Sequence, residues 1–282
     1  MASKALSAVG LIIVAIIAFV VGYFVYPAVN PAGAAGGVSW EDIKSKGVLV
    51  VATSPDWPPF EFIDPKTNKI VGYEVDLMNA VAQKLGLRVE WKAMDFDTII
   101  QAVKNKEVDM GVSGFSVTPE RLEQVLFTMP HTVTEVQLIM TEKRAKELGI
   151  TRLASIEDVA KYNLIIGTGS GTLQEAELLD LVKKGILKSD QVKSYPDFEV
   201  ALEDMKKGTI DAVYAETPVT TWWISTEEVP LTVIYSRSYW PVAFMANKDY
   251  LELVKKIDGA LAELFASGEV DKIRAKWNVT SG

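Results

Sequence analysis

The feature that most narrows what this chain can fold into is a pattern that occurs twice. From Gly47, VLVVAT (48–53) reads as a buried strand, YEVDLMNAVAQKLG as an amphipathic helix ending at Gly86, RVEWKA as a strand, FDTIIQAVKNKE as a helix and VDMGVS as a strand. Such a βαβαβ unit demands right-handed crossovers and a parallel sheet covered by helices on both faces. NLIIGT, a helix across LQEAELLDLVKK, the short QVKSY, the helix DFEVALEDMKKG and the strand IDAVYA form a second unit of similar length. The phrases IIQAVKNKEVDMGVS and ALEDMKKGTIDAVYA match in kind, each a helix with a basic end running into a strand with Asp at its start. Two such halves predict an α/β protein of two lobes with mainly parallel sheets.

After the second unit come VAFMANK (242–248) and two helical stretches, LELVKKIDGALAELFASG and EVDKIRAKW, which have no sheet of their own. They are expected to return to the first lobe. The predicted division is then lobe 1 from 41–133 with 240–282, and lobe 2 from 134–239. The chain would cross between them twice, near Thr132–Val136 and near Ser236–Pro241, and the crossings would act as a hinge. Ligands of open α/β sheets bind outside the carboxyl ends of the strands, so the cleft between the lobes is the expected site.

The N-terminus is of another kind. No charge lies between Ala5 and Val29, and GLIIVAIIAFVVGYFVY is nearly pure aliphatic and aromatic, enough to span a bilayer, which needs ~20 apolar residues. Lys4 precedes the run, which keeps that end cytoplasmic and places Ser39 onward outside. Residues 1–30 are therefore expected to be one transmembrane helix, a retained anchor rather than a cleaved signal, although Ala32 and Ala34 offer an Ala-x-Ala arrangement. The Pro, Gly and Ala content of 31–40 suits a flexible tether.

Composition excludes several functions. The formal net charge is −8, with Lys4 the one charge before Glu41, so nucleic acid is not an expected partner. The absence of cysteine removes disulfides, a thiol nucleophile and a lipoprotein anchor, and with a single histidine no zinc cluster or hydrolase arrangement can be assembled. No metal or cofactor is expected.

Four motifs then stand out in order: ATSPDWPPFEF followed by GYEVDLMNAVAQKLG; WKAMDFDTIIQAVKNKEVDMGVSGFSVTPER with its FTMP continuation; GTGSGTLQE; and GTIDAVYAETP. In order and spacing they resemble the family 3 periplasmic solute-binding proteins that serve polar amino-acid ABC transporters, over Val48 to Trp277. The resemblance implies a periplasmic-binding-protein-like fold and a monomeric, non-enzymatic receptor that closes on a free amino acid and delivers it to an ABC permease.

It also implies a site. In GFSVTPERLEQV, Thr118 caps a helix with Pro119 in its first position, so Arg121 sits in the first turn, facing outward, where its planar fork suits a ligand carboxylate. Gly114 and Ser116 end the preceding strand and would face the ligand ammonium and backbone. Thr172 would add a hydroxyl and N–H from lobe 2. Glu216, where the family commonly has Asp, would bind the ammonium or else serve only as a helix-start carboxylate. Trp57 and Phe96 would sandwich the ligand side chain. GTGSGT itself fails both the dinucleotide and the nucleophile-elbow patterns.

Relatives that choose basic ligands carry an acid three residues before the aromatic. That position is Ser54, which predicts a neutral polar ligand such as glutamine, with Asp56 pulling the other way. His131 is expected to be a packing residue beside the hinge. A cyclohexadienyl dehydratase-like enzyme would need a carboxylate where this chain has Val219, and a ligand-binding sensor domain would need further membrane or signalling segments.

Overall fold

The computed structural model describes residues 40–279. The expected transmembrane helix and most of the linker lie outside the described residues, and among the described ones no helix is long and apolar enough to cross a membrane.

Two five-stranded sheets organise the fold, each mostly parallel with antiparallel members, so the sheets are mixed. The first has the order β5-β1-β6-β13-β7, from β1 (Val48–Thr53), β5 (Arg88–Ala93), β6 (Met110–Gly111), β7 (Leu126–Phe127) and β13 (Met245–Ala246). The strand β1 forms because its apolar residues are covered from both sides, Leu49, Val51 and Ala52 being fully buried. Its parallel partners β5 and β6 are reached through the helices Tyr73–Lys84 and Phe96–Lys104.

The second sheet has the order β10-β9-β11-β8-β12, from β8 (Thr132–Thr141), β9 (Ile166–Gly169), β10 (Val192–Tyr195), β11 (Ala212–Glu216) and β12 (Leu231–Val242). Here β9 is parallel to β10 and β11, and the helices Leu173–Lys183 and Phe198–Lys207 make the crossovers. A separate apolar cluster serves each sheet: Ile99, Val103, Phe115, Val125 and Met245 in the first, Leu138, Leu164, Leu178, Tyr214 and Ile234 in the second.

The chain leaves the first sheet after β7, enters the second at Thr132 and leaves it again at Val242 before β13. β8 and β12 pair antiparallel along nearly their whole length, with register shifts at Val233/Tyr235 and Ser238/Pro241. Both crossings thus run side by side as one hydrogen-bonded ribbon rather than as two loops.

Sequence reasoning missed a third, small sheet: β2 (Asp56–Trp57), β3 (Glu61–Asp64) and β4 (Lys69–Val71). It packs against the helix Tyr73–Lys84, has a cis Pro58–Pro59 bond between β2 and β3, and buries Trp57 and Glu61.

Candidate functional site

Between the two halves a cavity of about 30 Å³ is lined from the half that holds the first sheet by Asp56, Trp57, Glu61, Phe96, Ser113, Gly114 and Arg121. The second contributes Gly169, Ser170, Thr172, Leu173, Gln174, Pro196, Phe198 and Glu216. Six of the seven sequence-predicted site residues are on this wall. The seventh, Ser116, stands behind it and donates its hydroxyl to Glu216 Oε1 at 3.2 Å.

Arg121 follows from its cap. Thr118 Oγ1 accepts the Arg121 N–H at 3.3 Å and Pro119 fills the first helical position of Pro119–Leu122. The expectation that the guanidinium faces outward is corrected, because it is buried. Its carbon lies 5.7 Å from the centre of the Phe96 ring and 5.4 Å from that of Phe115, two rings stacked 4.6 Å apart. Aromatic faces of this kind accommodate a guanidinium that cannot be fully hydrated. Nη1 donates to the Ser116 carbonyl at 3.1 Å and Nη2 reaches the Gly171 carbonyl of the second half at 3.5 Å.

Gly114 is required by two constraints. Its φ is +58°, and a Cβ added there would come within 1.8 Å of the Trp57 ring, which packs against this backbone. Trp57 is accordingly only 7 % exposed.

Thr172 caps the helix Leu173–Lys183, accepting from Glu175 N–H and donating to the Gly169 carbonyl at 2.7 Å, so its hydroxyl is already engaged in local structure. Glu216 precedes the helix Thr217–Thr226 without capping it. Instead it is buried and accepts from Ser116, from Thr134 on β8 and from Gln174 Nε2 at 3.1 Å. Burial raises its pKa, opposed by these donors and by Arg121.

Three lining residues escaped sequence reasoning or were underweighted. Gln174, in the first turn of its helix, reads as a surface position but is buried. Glu61 is fully buried, its Oε1 accepting from Ser113 Oγ at 3.1 Å, and burial together with the Glu74 carboxylate beside it pushes its pKa well up. Asp56 accepts the Phe198 N–H at 3.2 Å across the cleft, and burial pushes its pKa up to about 6.

An acid whose pKa is higher folded than unfolded binds its proton more tightly in the native state. Its ionisation therefore costs stability as pH rises from the unfolded value near 3.8 through about 6, and the penalty is complete above that. Asp56→Asn, which keeps an acceptor for Phe198, is expected to raise the melting temperature at about pH 7.5 and to leave it unchanged at about pH 4. Calorimetry at the two pH values checks this; equal shifts at both would mean the carboxylate is not strained.

Comparison with known proteins follows the same lines. The family model described as bacterial extracellular solute-binding proteins, family 3, matches residues 49–280. The arginine-binding extracellular protein ArtP of Bacillus subtilis (strain 168) is 30% identical over 234 residues, 82% of this chain and 86% of the relative. Among solved structures, an ancestral arginine-binding protein bound to arginine superposes with a TM-score of 0.74 at 31% identity, covering 82% of this chain and 98% of the other. An ancestral arginine-binding protein bound to glutamine gives 0.73 at 30%, covering 83% and 99%.

Proposed function

Because the chain belongs to the bacterial extracellular solute-binding proteins, family 3, a family of binding proteins rather than enzymes, we propose that it is the extracytoplasmic receptor of an ABC amino-acid importer, taking a ligand with a cationic side chain. The charge inventory of the cavity carries this reading. A zwitterionic amino acid asks for one cation and one anion, which Arg121 and Glu216 supply. Asp56 and Glu61 remain on the same wall as two further carboxylates, and buried carboxylates call for a positive charge. The relatives named for arginine point the same way. Ser54 favours a neutral ligand, but the buried Glu61 adds an acid to the same wall through the fold rather than through local sequence.

In this reading Arg121 holds the ligand carboxylate, Gly114 and Ser116 present backbone and hydroxyl, Thr172 and Gln174 close from the second lobe, and Glu216 takes the ammonium. Trp57 and Phe96 cover the aliphatic part of the side chain. Among the described residues four hydrogen bonds span the lobes in the closed form: Ser116 to Glu216, Arg121 to Gly171, Phe198 to Asp56, and Ser170 Oγ to Asp97 Oδ2 at 3.0 Å. They form only on closure, so a ligand that adds to them shifts the population towards the closed state the permease would engage. The receptor works as a monomer tethered to the membrane by residues 5–29, without cofactor.

Thermal unfolding against the twenty amino acids and citrulline tests this. A ligand at a hundred times its Kd stabilises by about 2.7 kcal/mol, a readily measured shift. Arginine, lysine or histidine is expected to give the largest rise. A rise with glutamine and citrulline alone would overturn the cationic side chain and keep the receptor, while no rise with any of them would overturn both.

A further inference from the structure

Away from the cavity, an aromatic contact also joins the two halves. Phe62 of β3 meets Trp222 of the helix Thr217–Thr226 with ring centres 5.8 Å apart and planes tilted at 41°. That helix packs on β8 and β11 of the second sheet, whereas β3 packs on the helix Tyr73–Lys84, which lies against β5 of the first. Both residues are half-buried, and neither lines the cavity.

Local geometry explains why each ring faces where it does. Successive side chains of a strand point to opposite faces, so β3 turns Glu61 into the cavity and Phe62 away from it. Neighbouring residues of a helix lie about 100° apart around its axis, so Trp222 and Trp223 face different ways. Trp223 is buried in its own half, its Nε1 donating to Glu199 Oε1 at 3.1 Å and its ring centre 6.3 Å from that of Phe198. Trp222 is left to reach across to Phe62.

Phe62 is backed in turn by Trp277, which stands edge-on to it with ring centres 5.8 Å apart and planes at 89°. The indole of Trp277 is pinned to the helix Tyr73–Lys84: Nε1 donates to Asp76 Oδ2 at 2.7 Å, and the Lys276 ammonium, itself paired with Asp76 at 2.6 Å, lies 4.9 Å from the ring centre.

Resting on the receptor reading above, we propose that Phe62 and Trp222, with Trp277 behind Phe62, are positioning residues that clasp the halves together on closure and set how long a ligand stays bound. The clasp is geared to the site. Phe62 is next in the chain to Glu61, and the helix of Trp222 starts immediately after Glu216, so an amino acid that engages both carboxylates also brings the two rings into contact. Because Trp277 and its partners hold Phe62 from within one half, that side of the clasp is ordered before the halves meet, which lowers the entropy lost when they do. Apolar burial is indifferent to charge, so the clasp stabilises the closed state by the same amount whatever side chain the ligand carries. It strengthens capture and leaves the choice of cargo to the cavity.

Isothermal titration and stopped-flow mixing test this, with L-arginine, L-lysine, L-histidine and L-glutamine added to wild type, Trp222→Ala, Phe62→Ala and the double variant. Each single variant, checked for native melting, is expected to bind every amino acid that wild type binds about two- to tenfold more weakly, the range an aromatic pair contributes. The factor is expected to be the same for each ligand and to lie in faster dissociation. It is expected to grow little further in the double variant, because either truncation already opens the clasp. Trp222→Phe keeps a ring for Phe62 and is expected to retain most of the affinity. Unchanged affinity, losses that simply add in the double variant, or losses that differ between ligands would overturn the clasp while the receptor reading stands. If wild type binds none of the four, both fall.

Discussion

Arg121→Ala is expected to abolish ligand-induced stabilisation while leaving the protein folded. Truncating one member of a buried, charge-assisted contact costs roughly 2–5 kcal/mol, an affinity loss of about thirty- to several-thousand-fold. The substitution also removes the cation beside the stacked Phe96 and Phe115 rings and leaves the Ser116 and Gly171 carbonyls without that donor, so some of the loss is structural. Arg121→Lys separates the two contributions. A lysine keeps the charge but lacks the planar fork, so a weakened but measurable response is expected. Isothermal titration of both variants decides the matter; full binding by Arg121→Ala would remove the residue from the site.

Gly171→Ala is expected to be nearly as damaging by a different route. Gly171 has φ +71°, and a Cβ there would come within 2.6 Å of Asp97 Cβ and 2.9 Å of Asp97 Cα, which belong to the other lobe. The clash therefore exists only when the lobes are together. Within its own lobe the substitution costs about 1 kcal/mol for the left-handed backbone. Affinity is expected to fall at least tenfold, with the scattering profile of the ligand-loaded protein shifted towards the open form. Gly185→Ala is the control, since it shares the positive φ, +71°, but a Cβ there meets nothing within 4 Å. Equal loss in the two variants would mean backbone strain rather than blocked closure is responsible.

The regular alternation of strands and helices was legible because its signals are local. VLVVAT must be buried on both faces, and FDTIIQAVKNKE carries its apolar residues on one side of a helix. The small sheet was not legible: β2 is two residues long and lies beside consecutive prolines, which punctuate rather than pattern. The ribbon of β8 and β12 was read only as two crossings, since pairing between residues some hundred positions apart leaves no local trace.

Within the site, Arg121 stood out through cap chemistry, whose physical reason lies within three residues of it, whereas Gly114 and Thr172 came from the family resemblance. Glu61, Glu74 and Gln174 stood out by neither route. A charged or amide residue in a helix or hairpin reads as solvated by default, and only the packing of distant elements makes it buried. His131 is buried just before β8, in ring contact with Tyr73 and Phe244. Its approach to Glu74, 57 positions earlier in the chain, was invisible.

The pairing of β8 with β12 has a mechanical consequence. Two strands hydrogen-bonded along most of their length cannot slide past one another without breaking the ladder, and they resist being twisted separately. Bending of the ribbon as a unit, by contrast, breaks no rung of the ladder. Any relative movement of the halves would thereby be confined to something close to one coordinate. A molecule that grips one wall is felt by all of them, so a distant observer could judge occupancy from a single angle without inspecting the cargo.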